Sequence, residues 1–140
     1  MKTQLIPQFT FDNQAAEAMK FYHTIFGGTL SLNTFGETNM DNSDEMKDRI
    51  IHSQLTSDDF SLMACDLHPK FCSDGYKFTS GDNVGISLVG TDKEKLTKYF
   101  NQLAEGGTIE MPLEKQFWGD IFGSCKDKFG INWMVNISDK

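Results

Sequence analysis

No segment of this chain carries the ~18 consecutive apolar residues that a bilayer-spanning helix needs, and no apolar core follows its first basic residue as an export signal would require. A membrane partner is therefore not expected, and the chain reads as cytoplasmic. Cysteine is scarce too. Cys65, Cys72 and Cys125 are odd in number and lack the paired spacing of a zinc module, so reduced thiols are the expectation. Basic residues are outnumbered, 13 Lys and Arg against 20 Asp and Glu, and the resulting charge of −7 is the wrong sign for nucleic acid. That charge accounts for solubility and would also suit a cationic guest. No Gly-x-Gly loop follows a strand, and no Ser/His/Asp or Cys/His spacing suggests an activated nucleophile.

What is present is one domain's worth of chain. Its 140 residues, 39% hydrophobic with 12 Phe, can bury an ordinary core without staples. Phe9 and Phe11 alternate with Gln8 and Thr10, predicting a strand that Pro7 can open. Asp12 or Asn13 is the expected cap of a helix whose apolar stripe is Ala15, Met19, Tyr22 and Phe26, widened by Ala18, Phe21 and Ile25. Gly27-Gly28 ends it.

The same plan recurs later. Val84 to Val89 predicts a strand, Thr91 with Glu94 a capping box, and Leu96, Tyr99, Phe100 and Leu103 an apolar face ended by Gly106-Gly107. Gly27-Gly28-Thr29-Leu30 matches Gly106-Gly107-Thr108-Ile109, and each glycine pair begins six residues after a Phe, Phe21 or Phe100. This is an internal duplication. Strands are expected at Thr29 to Phe35, Arg49 to Thr56 and Phe60 to Asp66 in the first copy. In the second they are expected at Thr108 to Met111, Asp120 to Lys126 and Ile131 to Ile137. The chain is thus an α+β domain over residues 1–140, with βαβββ repeats at 1–66 and 84–137 joined by loop 67–83. A second long polar loop spans Gly36 to Asp48.

The run Met111-Pro112-Leu113-Glu114-Lys115-Gln116-Phe117-Trp118-Gly119-Asp120, read as leading into one strand and then a turn at Asp127 to Gly130, is the most specific stretch. With Phe21-Tyr22, Gly27-Gly28 and Leu62-Met63-Ala64-Cys65-Asp66, it resembles the PhnB-like branch of the glyoxalase/bleomycin-resistance/dioxygenase, or vicinal oxygen chelate, superfamily. Relatives in that branch carry a ubiquinone-pathway methyltransferase label. The resemblance implies two βαβββ units forming a cupped mixed sheet around a small-molecule ligand, commonly in a homodimer.

In the superfamily's metal-dependent members the cup holds a divalent ion on His, Gln and Glu side chains near the start of each first strand and the end of each last strand. Carried onto this chain, those positions fall at Gln8, at Ser87 with Gly85 as alternative, at Met134, and near Cys65. Such a set is a poor home for a hard cation, so no metal and no other cofactor is expected. His23 and His68 read as structural or surface residues; His52, mid-strand between Ile50 and Gln54 on one face, is the histidine placed to line a cavity. Asp66 is a candidate base or acceptor, or a turn residue closing its strand. Trp118 and Asp120 flank Gly119 where a cavity mouth could form, whereas Trp133 reads as core. The expected function is binding of a small organic molecule by a homodimer. The alternatives are a metal-dependent glyoxalase-like lyase or isomerase, and a methyltransferase.

Overall fold

Each copy of the repeat folds as strand, helix and three strands in the computed structural model, which describes residues 2–139. The first runs β1 (Gln8–Phe11), α1 (Ala15–Phe26), β2 (Thr29–Thr34), β3 (Ile50–Thr56) and β4 (Ser61–Asp66). The second runs β5 (Gly85–Gly90), α2 (Lys93–Ala104), β6 (Thr108–Lys115), β7 (Ile121–Lys126) and β8 (Asn132–Ile137). They fall in separate compact units, one ending at Phe78 and the other starting at Thr79.

Each unit has its own four-stranded sheet, ordered β1-β4-β3-β2 or β5-β8-β7-β6. The first strand lies parallel to the last, and the other neighbours are antiparallel, so both sheets are mixed. A helix covers one face of each. In the first unit that face carries Phe9, Phe11, Leu55, Leu62 and Ala64, against Ala18, Met19 and Tyr22 of α1; Phe9 and Tyr22 meet edge to face at 5.8 Å. In the second it carries Cys125, Trp133, Val135 and Ile137, against Leu96, Phe100 and Leu103. Residues paired across strands share a face, so the opposite, helix-free faces can be read directly from the register.

Neither helix starts as the sequence suggested. The residue before α1 is Gln14, whose side chain makes no cap; Asn13 sits at φ 66° and Asp12 turns away to Arg49. The cap comes instead from β4: Asp66 Oδ1 accepts from Ala15 N–H at 3.0 Å. At α2 the cap is Asp92 rather than Thr91, its carboxylate accepting from Lys95 N–H at 3.1 Å. Asp outcompetes Thr here because its oxygen is charged and faces the helix's positive end.

The second half also differs in its strands. The strand expected to end at Met111 is longer than the sequence suggests: β6 continues through Pro112 to Lys115. Pro is tolerated there because β6 is an edge strand whose register slips between Ile109 and Met111 and again before Glu114. Gln116 to Asp120 is a tight turn, with Gln116 N–H donating to Asp120 O at 2.8 Å and Gly119 at φ 99°.

The 36–48 loop is anchored. Phe35 and Met46 are buried at its ends, and His68 Nε2 meets Asp41 Oδ2 at 2.8 Å. Because His68 Nδ1 already accepts from Lys70 N–H, Nε2 is the donor. Ser43, through its hydroxyl and its backbone N–H, and then His68 hold the Asp41 carboxyl down at about 2.

The duplicated glycines have a steric cause. A Cβ on Gly28 would overlap the carbonyl oxygen of Thr56 at the end of β3, and one on Gly107 would overlap that of Lys126 at the end of β7. Gly27 has open space but sits at φ 72°. Urea unfolding should therefore show Gly28→Ala and Gly107→Ala each losing about 2 kcal/mol or more, and Gly27→Ala losing about 1 kcal/mol.

Candidate functional site

The helix-free face of the first unit is a field of small polar and sulfur side chains. Across the strands Gln8, Met63, Gln54 and Ser31 form one row. Thr10 and Cys65 begin the next, and His52 faces Asn33 on the same side. Gln8 is exposed, and its amide donates weakly to Cys65 Sγ at 3.6 Å, which Thr10 Oγ1 also approaches at 3.9 Å. His52 is half-buried with no side-chain hydrogen bond among the described residues. Ile50 does not share its face, contrary to the alternation. The register slips between Asn33 and Thr34, and Ile50 returns to the core.

Asp66 lies on the other side of the sheet, against the helix. Its two oxygens accept from Ala15 N–H and from Ile50 N–H at 2.9 Å, joining the start of α1, the start of β3 and the end of β4. It is buried, with both oxygens committed to backbone donors, which accounts for it without any ligand.

In the second unit Ser87, Met134, Ser124 and Met111 form one row of the helix-free face, and Val89, Asn136, Phe122 and Glu114 form the next. Met134 lies over Gly85, where a Cβ would overlap its methyl group. Asp120 joins this face through Asn136, whose amide donates to Oδ2 at 2.9 Å. Trp118 stands edge-on to Phe122 at 5.9 Å and to Phe117 at 4.9 Å. Thus Ser87, Met134, Trp118 and Asp120 gather on one face, with exposed Val89 and Met111 beside them. Trp133 is core, its indole N–H donating to buried Asp127 at 2.8 Å.

The register also settles which residues correspond in the two copies. Ser87 pairs with Met134 as Gln8 pairs with Met63, so Met134's counterpart is Met63, two residues before the expected Cys65. These paired positions therefore carry an amide and a thioether in one unit, a hydroxyl and a thioether in the other. Neither pair supplies the carboxylate or imidazole a divalent ion needs, and no cluster of three His, Cys, Asp or Glu exists among the described residues. The donor set does not fit a metal.

Two measurements follow from these placements. Asp66→Ala should lower unfolding free energy by about 2–5 kcal/mol, since it strands two buried N–H groups, while Asp66→Asn, keeping one acceptor, should lose about half as much. Burial, then the charges of Asp127 and Glu110, push the Cys125 thiol up to about 11, whereas Cys65 and Cys72 are partly accessible. Iodoacetamide at neutral pH should therefore label Cys65 and Cys72 on the folded protein and spare Cys125, as peptide mass mapping would show.

Comparison with known proteins agrees with the fold. A protein-family model described as 3-demethylubiquinone-9 3-methyltransferase matches residues 3–136. The crystal structure of protein PA1353 from Pseudomonas aeruginosa is 38% identical, with a TM-score of 0.85 over 98% of both chains. The PhnB protein of Bacillus cereus is 23% identical at TM-score 0.72, covering 97% of this chain and 100% of its own. A glyoxalase/bleomycin resistance protein/dioxygenase superfamily member from Sphaerobacter thermophilus shares the fold at TM-score 0.56 and 19% identity, over 97% of this chain and 98% of its own. With two βαβββ units and a family match over nearly its whole length, the chain belongs to the 3-demethylubiquinone-9 3-methyltransferase family, and it shares its fold with a member of the glyoxalase/bleomycin resistance protein/dioxygenase superfamily.

Proposed function

We propose that this protein binds a small organic molecule on the helix-free faces of its sheets, as a homodimer and without a catalytic metal. The observation that carries this reading is the chemistry of those faces. At the superfamily's ligand positions stand Gln8, Met63, Ser87 and Met134, groups that hydrogen-bond or pack against an organic guest but do not offset the lost hydration of a divalent ion. Half-exposed Trp118 beside Phe122, with Val89 and Met111, supplies the apolar area such a guest would cover. Asp120 and Asn136 supply polar groups to orient it. The strand-to-helix turns, Asp12-Asn13-Gln14 and Thr91-Asp92, carry no Gly-x-Gly run of the kind that cradles a nucleotide-like donor, which favours the binding reading over the methyltransferase of the family description.

Native mass spectrometry and elemental analysis of protein purified without chelator test the proposal together. The expected result is a dimer carrying an organic adduct, with far less than stoichiometric metal. Trp118→Ala should weaken retention of the adduct about tenfold, or ~1.4 kcal/mol. Near-stoichiometric nickel, zinc, iron or manganese that disappears on His52→Ala would overturn it in favour of a metal-dependent lyase or isomerase.

A further inference from the structure

The tight turn between β6 and β7 holds out two aromatic rings that the core does not take. Phe117 is 97% exposed and Trp118 half-exposed. They meet edge-on, with centroids 4.9 Å apart and planes at 89°. Such a pair forms a right-angled corner walled by one face of each ring. Phe122, half-buried on β7, stands edge-on to Trp118 in turn, at 5.9 Å and 64°. Carboxylates sit beside the rings. Asn136 takes Oδ2 of Asp120, while Oδ1 makes no hydrogen bond among the described residues. Exposed Glu114 pairs with Phe122 across β6 and β7.

Elsewhere the chain's own lysines cover aromatic faces, Lys95 over Tyr99 and Lys128 over Phe129. Here, among the described residues, no Lys or Arg lies over Phe117, Trp118 or Phe122, and none pairs with Asp120 or Glu114. Lys115, the nearest in sequence, pairs with Ile121 and so lies off this face. The face of an aromatic ring is the negative end of its quadrupole, so two perpendicular faces beside a free carboxylate oxygen attract a cation. A bare ammonium is compact and strongly hydrated, whereas a methylated one presents apolar surface that the rings can cover. We propose that this corner binds the quaternary ammonium group of a small, free, choline-like organic cation. The inference rests on the organic-binding reading above and names the class of guest. The trimethylammonium group lies on the faces of Phe117 and Trp118, with Asp120 Oδ1 beside it.

Calorimetry and NMR on the intact chain test this with choline and with its neutral isostere, the alcohol in which a tert-butyl group replaces trimethylammonium. Choline is expected to bind saturably, and the isostere at least about tenfold more weakly. The chain has 2 Trp, so their indole N–H resonances report separately. That of Trp118 should move with choline, while that of core Trp133, bonded to Asp127, should not. Trp118→Leu should weaken choline about fivefold, and Trp118→Phe should restore most of that loss. Asp120→Asn keeps an acceptor for Asn136 and should weaken choline several-fold. The proposal is overturned if choline fails to bind, if the isostere binds equally well, or if Asp120→Asn has no effect. The organic-binding reading survives all three outcomes, because it is tested by the adduct on protein as purified. Phe117→Leu, at a position too exposed to unsettle the fold, should weaken choline about threefold. If it instead splits the dimer and leaves choline affinity unchanged, the corner is a subunit contact and the proposal fails. Capture by phosphatidylcholine vesicles without binding of free choline would overturn it in favour of a lipid headgroup.

Discussion

The carboxylate of Asp66 is the contact on which the first unit's architecture depends. One oxygen caps α1 and the other holds the first N–H of β3, so a side chain at the end of β4 fixes where two other elements begin. Both bonds are buried, where a charged acceptor is worth more than in water and an unmatched donor costs most. The second unit solves its own end differently. There Asp127 accepts from Phe129 N–H and Ile131 N–H, and from the indole of Trp133, closing the β7–β8 turn rather than capping the helix. Helix α2 is left to be capped locally by Asp92. The duplication therefore preserves the fold while moving the buried aspartate from helix start to hairpin turn.

A second constraint is shared without change. In both units the helix leads back into the sheet through a glycine pressed against a strand-end carbonyl, Gly28 on Thr56 and Gly107 on Lys126. No side chain fits there, which explains why the Gly-Gly pair is the most nearly identical feature of the two copies. The strand that follows, β2 or β6, is thereby set at the edge of its sheet.

The helix covers one face of each sheet, and on the opposite faces the two copies diverge in chemistry. One presents amides, hydroxyls and sulfur; the other presents Met134, Phe122 and Trp118 with a single Asn136–Asp120 bond. Gln8 and Met63 in one unit, and Ser87 and Met134 in the other, are neutral, soft or weakly coordinating groups.

Element type and order were legible in the sequence because apolar periodicity and the repeated Gly-Gly endings are local signals: among the described residues both α-helices, the eight strands and the strand-helix-three-strand plan can be read from them. What the tertiary structure alone decided were the long-range matters. Asp66 looks like a turn residue or a base until its partners, at positions 15 and 50, are brought to it across the fold. His52 and Ile50 part company because of a register slip that no alternation rule contains. The β6 strand survives Pro112 only because it lies at an edge, and Met63 rather than Cys65 answers Met134 because pairing, not spacing, sets the match. Local periodicity chooses the elements, but which side chains meet is fixed by contacts between residues far apart in the chain.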